Sequence, residues 1–288
     1  MAKMRNIVLL TFLAAIAAML LQEGEAGGVT FEYTDMANWP TLFPDYCGKD
    51  RQSPININPY ETKFGFFWPM QFENYHVSPE EQTVVNNGHS VSITVKLGEN
   101  IPAIHDGGLP GKYLFHSYHF HWGSDGTKGS EHTVNGVRYP LELHLVHIKE
   151  EYYPDLGEGA KNGDGLAVLG IFFKISRVDN PALAPLVKTL NDIKASGSTM
   201  TKTDMYSLGT LLPKKLGKFY RYLGSLTTPS CNEAVVWTIF RDYVEISETQ
   251  LSAFRDLKDS HANAIVDNYR TAQPRNSRLV QRSFFWAL

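Results

Sequence analysis

Cysteine is nearly absent from this chain of 288 residues: Cys47 and Cys231 are the only two. A disulfide framework standing in for a core is therefore excluded. Net charge is also small, at -3, and no basic stripe runs along the chain. Nucleic acid is excluded as a partner on that ground. No internal repeat, low-complexity tract or long linker interrupts the sequence, so one domain is expected. The same absence removes a matrix or storage scaffold built on acidic or Gly/Asn-rich repeats. No Asn-x-Ser/Thr triplet occurs, so N-glycosylation is not expected. The apolar end Ser283–Leu288 is far too short for the tail of a GPI signal.

Long apolar runs are scarce too. Ile7 to Leu21 is broken only by Thr11, follows Lys3 and Arg5, and precedes the small residues Gly24 and Ala26. About 15 apolar residues are too few to span a bilayer. The pattern is that of a secretory signal peptide over residues 1–26, leaving one domain at 27–288, of about 260 residues. Secretion places the two cysteines in an oxidising compartment, where an isolated pair bonds. A Cys47–Cys231 disulfide would close a very long loop, for about 4–5 kcal/mol by the chain-entropy account. It would also brace the chain just after Thr228.

What the sequence has in quantity is strand signal. Val91, Ile93, Val95 and Leu97 alternate with polar residues, as do Leu141, Leu143 and Leu145 with their neighbours. Leu166–Lys174 is almost wholly apolar, which predicts a strand covered on both faces. Ala234–Ile246 is rich in β-branched and aromatic residues and reads as strand. Two helices are expected at the periphery. One carries Leu183, Leu186, Val187, Leu190 and Ile193 behind Asn180-Pro181, with Gly197 beyond its end. The other starts at Ser247, with Gln250 three residues on as a capping box. The fold class is α+β, dominated by sheet.

Histidines supply the chemistry. His119 and His121 stand two apart in Tyr118-His119-Phe120-His121-Trp122, so on a strand they share a face. Two buried imidazoles without partners would cost a few kcal/mol, roughly. A metal removes that cost. A third ligand from a neighbouring strand would make a three-nitrogen site and leave one position of a tetrahedral zinc open, the mark of a catalytic zinc. His144 or His147 could supply it. Glu142 shares a strand face with His144 and could fix its tautomer, so His144 is the expected ligand, Glu142 its orienter, and His147 a structural histidine.

With these residues in view, the chain resembles the α-class carbonic anhydrases over essentially all of residues 27–288. The matching stretches are Gln52–Asn58, Asn86–His89, His119–Gly123, Gly129–Gly136, Glu142–His147, Asp164–Phe172, Gly224–Pro229 and Asp267–Arg270 with Gln273-Pro274. Each is short, and their order and spacing together are specific. The resemblance implies a large twisted, mainly antiparallel sheet of about ten strands with small helices around it. It implies Zn2+ on His119, His121 and His144, and reversible hydration of CO2 to bicarbonate and a proton by a zinc-held hydroxide. It further implies that Thr227 orients the nucleophile and passes a hydrogen bond to Glu131, that Thr228 lies beside bicarbonate, and that His89 shuttles the proton. Val146, Val168, Leu226 and Trp237 take the positions of the apolar wall that receives CO2. Asn87 and Tyr33 match positions that hold the cavity's water. The expected partners are CO2, water and bicarbonate alone, and the expected state is a secreted monomer. A silent binding relative would lack ligand histidines, and this chain keeps all three.

Two positions depart from that pattern. Ser117 stands where a glutamine commonly partners the first ligand histidine, and Ser92 where the cavity often has asparagine. Serine at 117 remains an acceptor but has a shorter reach, so His119 is expected to be less firmly oriented, or oriented through a water. An additional histidine, His116, lies beside it in sequence.

Overall fold

In a computed structural model, residues 31–203 and 206–285 are described. The expected signal peptide falls outside them. Thirteen strands form one sheet, and a continuous hydrogen-bonded path runs through most of it. In spatial order this path is Thr199–Lys202, Glu81–Asn86, Val91–Lys96, Tyr113–Trp122, Leu141–Lys149, Leu166–Ser176, Val235–Phe240, Phe219–Gly224, Gln281–Arg282 and Lys63–Phe64. Gln71–Glu73, Ala103–His105 and Val244–Ser247 attach beside it. These three are too short for alternation to announce them, and they take the sheet past the expected count of about ten.

The strands that carry the histidines pair antiparallel with each other and with their outer neighbours. Parallel pairing enters where Leu166–Ser176 meets Val235–Phe240 and Val244–Ser247. Strand thus covers most of Ala234–Ile246, in two pieces. Gly170 pairs with Ile239 and Phe173 with Val244, so the second chain segment carries extra residues across the same span. They turn out near Arg241 and Tyr243, which are exposed.

Leu166–Ser176 shows how the sheet divides two cores. Ala167, Leu169, Ile171 and Phe173 enter a core with Tyr118, Phe120, Trp122 and Leu143. Leu166, Val168 and Phe172 enter the other, with Val146, Tyr222 and Trp237. Period-2 alternation therefore puts His119, His121 and His144 on the face opposite Phe120 and Leu143. The helices take the expected places. Ser247 and Gln250 form the reciprocal capping box of Glu248–Arg255. Asn180 caps a 3-10 turn, Pro181–Leu183, that runs into Ala184–Leu190. Cys47 and Cys231 are bonded across a sequence separation of 184, among Phe31, Trp39 and Phe43.

Candidate metal centre

Strand register brings the ligands together. His119 lies directly opposite His144, and His121 opposite Glu142. The ring centroids of the three histidines are 5.1, 5.1 and 4.7 Å apart. One nitrogen from each falls within 4.8 Å of the others. His121 Nδ1 donates to the Asn268 carbonyl at 2.8 Å, which turns Nε2 inward. His144 Nε2 donates to Glu142 Oε1 at 2.7 Å, which turns Nδ1 inward, 3.3 Å from His119 Nε2. Burial, reinforced by the neighbouring imidazoles, holds His119 well below the usual histidine pKa, and burial also lowers His121. Neutral imidazoles keep their lone pairs for a ligand.

These residues fit a zinc. The inward Nε2 of His121 is buried and has no hydrogen-bond partner among the described residues. Burying such an acceptor unpaired is costly, and a cation at the centre satisfies it. Three neutral nitrogen donors are also a donor set that leaves zinc one open position.

Behind His144 lies a network that the sequence did not announce. Glu142 Oε1 also accepts from His132 Nδ1 at 2.7 Å, and Oε2 accepts from the His132 backbone N–H at 2.9 Å. His132 Nε2 meets the Tyr222 hydroxyl at 2.7 Å, and Tyr222 meets Ser53 Oγ at 2.8 Å. Burial opposes the charge on Glu142, but His132 and His144 outweigh it and hold the carboxyl well below its usual range. His132, Glu142 and His144 lie close enough together to suggest a second metal set. Their facing atoms are already spent on these hydrogen bonds, so the group is a relay. Gly170, which pairs with His144, makes room for it: a Cβ there would lie 2.5 Å from Ile239 Cδ1 and 3.2 Å from Glu142 Oε1. His132 follows Glu131 in sequence, but nothing local links it to a tyrosine 90 residues on.

The first ligand is held differently. His119 Nδ1 is buried without a hydrogen-bond partner among the described residues. Ser117 does not serve it directly: its Oγ lies 3.0 Å from His116 Nδ1. The register shift between Phe115 and Ser117 leaves His116 unpaired in the ladder and beside that hydroxyl. Ser92, directly opposite His119, also has a buried Oγ without a partner among the described residues.

His119, His144, Val146, Val168, Leu226, Thr227, Thr228 and Trp237 line one small cavity of about 40 Å³. Val146, Val168 and Trp237 form a row across three adjacent strands. Trp237 is fixed by its Nε1, which donates to the Ser225 carbonyl at 3.0 Å. The Thr228 carbonyl accepts from the Cys231 N–H at 2.7 Å, so the disulfide braces this loop. Glu131 is fully buried and its Oε1 accepts from the Arg270 N–H at 2.8 Å. The expected bond from Thr227 is not made. Glu131 Oε2 has no hydrogen bond among the described residues and lies 3.4 Å from His121 Nε2. In this tautomer neither atom offers the other a proton, so both are left for a cation at the centre to satisfy.

His89 does not line the cavity. Its ring stacks on Phe31 at 4.3 Å, and burial lowers its pKa against the opposing charges of Glu32 and Asp259. Asn268 ties it to the ligand strand, donating to the His89 carbonyl at 2.9 Å and accepting from the Trp122 N–H at 2.7 Å. Asn87 Oδ1 is spent on the His89 and Ser90 N–H groups, so it caps the turn and does not face the cavity's water through that oxygen. Tyr33 is partly buried, and burial with the charge of Glu131 raises its pKa well above the usual value. His147 is structural: Nδ1 faces the Leu145 and Ala167 carbonyls and Nε2 the Tyr75 hydroxyl.

A family model for eukaryotic-type carbonic anhydrase matches residues 34–284. The chain is 38% identical to "Putative carbonic anhydrase 3" of Caenorhabditis elegans, over 84% of this chain and 96% of that protein. It is 37% identical to "Carbonic anhydrase 6" of Mus musculus, over 86% and 78% respectively. It is 34% identical to "Carbonic anhydrase 12" of Homo sapiens, over 86% and 70%. The chain belongs to the eukaryotic-type carbonic anhydrase family. It is accordingly a carbonate dehydratase, a lyase for the zinc-dependent, reversible hydration of CO2.

Proposed function

We propose that His119, His121 and His144 hold a zinc ion and that the small cavity beside them is where CO2 is hydrated. The convergence of three imidazole nitrogens on one point against an apolar wall carries this reading. Zinc, when bound, supplies the Lewis acidity that makes water a nucleophile near neutral pH, a property long established for this family. The chain does the rest. Val146, Val168, Leu226 and Trp237 offer CO2 a surface without hydrogen bonds and keep bulk water off its carbon. On this reading Thr227 turns to donate to Glu131, a bond the side chains do not make in the structure, and accepts from the attacking water, which aims a lone pair at the substrate. The uncommitted Oε2 of Glu131 supports that role. Thr228, at the same cavity, holds the bicarbonate product.

Each turnover leaves a proton to export. His89 takes it and passes it to buffer, and its lowered pKa favours the release. The reading includes a monomer secreted after cleavage near Ala26. The disulfide supports an oxidising compartment, and no helix among the described residues is long and apolar enough to cross a membrane.

Stopped-flow CO2 hydration with zinc measured on the same sample tests the site. Fast hydration with one zinc per chain, both lost in His119→Ala, is the expected result. Full zinc with no hydration would sink the catalytic reading, and no zinc would sink the site. For the shuttle, His89→Ala is expected to slow hydration in dilute buffer by about tenfold or more, and imidazole buffer to restore it. An unchanged rate in dilute buffer would remove His89 from the proton path.

A further inference from the structure

We propose that the aromatic end of the sheet docks on an anionic lipid bilayer. Lys63–Phe64 ends the strand path, and the chain running on from it carries Phe64, Phe66 and Trp68 at alternate positions. Phe66 is 81% exposed, Trp68 72% and Phe285 72%. Phe64 stacks on Phe285 with ring centroids 4.0 Å apart, and Phe66 meets Trp68 edge-on at 6.0 Å. An apolar cleft of about 230 Å³ opens between Trp68, Met70, Leu216 and Phe219. Large rings exposed in contact with one another mark an interaction surface.

Charge selects the partner. Lys63, Lys214 and Lys215 are exposed, Lys218 partly so, and none forms an ion pair among the described residues. Of the acidic groups nearby, Glu61 pairs with Arg275 and Glu73 with Lys112, while Asp106 meets only His105 and Asp242, beside Arg241 whose N–H donates to the Lys218 carbonyl, forms no ion pair among the described residues. The four lysines outnumber the acidic groups that lack a lysine or arginine partner, so this face is left positive although the whole chain carries -3. Aromatic rings flanked by lysines suit an interface of headgroups and acyl chains. Strand addition by a second copy fits less well, because the free edge is two residues long and carries Lys63. Protruding rings also need a surface that yields, and a bilayer yields. No residue lining the cleft lines the zinc cavity, so docking leaves the two functions separate.

The test is co-sedimentation of the purified protein with vesicles of phosphatidylcholine alone and with about 30 mol% phosphatidylserine added. Binding to the anionic vesicles is expected, falling as salt rises from about 0.1 to 0.5 M. Phe66→Ser with Trp68→Ser should weaken it by about tenfold or more. Both side chains are exposed, so hydration activity should persist and report an intact fold. Lys214→Gln with Lys215→Gln should weaken binding less and flatten the salt dependence. The proposal is overturned by no binding, by equal binding to neutral vesicles, or by aromatic variants that bind as well as the parent. A concentration-dependent dimer abolished by those variants, without vesicle binding, would also overturn it and assign the face to a second copy.

Discussion

His119 and His144 stand directly opposite each other on neighbouring strands, yet their outer nitrogens meet different surroundings. His144 leans on Glu142, which is shared with His132 and through it with Tyr222 and Ser53. His119 has no outer partner among the described residues. Backbone register therefore fixes where the ligands stand, while their orientation depends on single side chains behind them. The first is insensitive to most substitutions. The second changes with one residue.

Removing a ligand should erase the comparison. His144→Ala is expected to lose zinc and to lower hydration by about a thousandfold or more, read as metal content and stopped-flow rate. Retained zinc would mean that another group supplies the third donor. Glu142→Ala should act next most strongly. It leaves the ring and removes the anchor, so zinc affinity should fall about 10–100-fold by chelator competition. It also strips a buried acceptor from both His132 and His144, costing about 1–3 kcal/mol in urea unfolding. Unchanged affinity would show that the relay does not tune the metal.

Much of this was legible because strands keep a period of two. The pairing of His119 with His121, the choice of His144 with Glu142, and the two-faced burial of Leu166–Lys174 all follow from alternation. The capping box at Ser247 was legible because its residues are neighbours in sequence. What stayed hidden depends on long-range approach. Asn268 accepts from His121 across 147 positions and Tyr222 reaches His132 across 90. The turn of Ser117 towards His116 comes from a register shift that side-chain spacing does not encode.

His147 gives the comparison a third member, a histidine with both ring nitrogens engaged and no metal to hold. Burial lowers its pKa to about 3, against the help of the Leu145 and Ala167 carbonyls and with His116 nearby adding to the depression. The folded ring stays neutral down to that value, whereas the unfolded ring takes up a proton near 6.5. Its stabilisation is therefore complete above the unfolded value and declines as pH falls towards the folded one. The loss should reach about 2 kcal/mol at about pH 5. His147→Gln should flatten the dependence of the urea midpoint on pH by about one proton. An unchanged slope would place the acid sensitivity elsewhere.

The smallest expected effect bears most directly on the contrast between the two ligands. Ser117→Gln offers an amide oxygen with the length that serine lacks, on the same strand face as His119. If that oxygen accepts from Nδ1–H, it fixes the tautomer that presents Nε2 to the metal. Zinc release into a strong chelator should then slow by a few-fold to about tenfold, with little change in hydration by the fully loaded enzyme. The double variant with Glu142→Ala tests whether the two anchors act independently: if they do, their effects on zinc release multiply. Should Ser117→Gln leave release unchanged, His119 is already oriented by some other group, and Ser92, opposite it with a buried hydroxyl that has no partner among the described residues, is the first to substitute next.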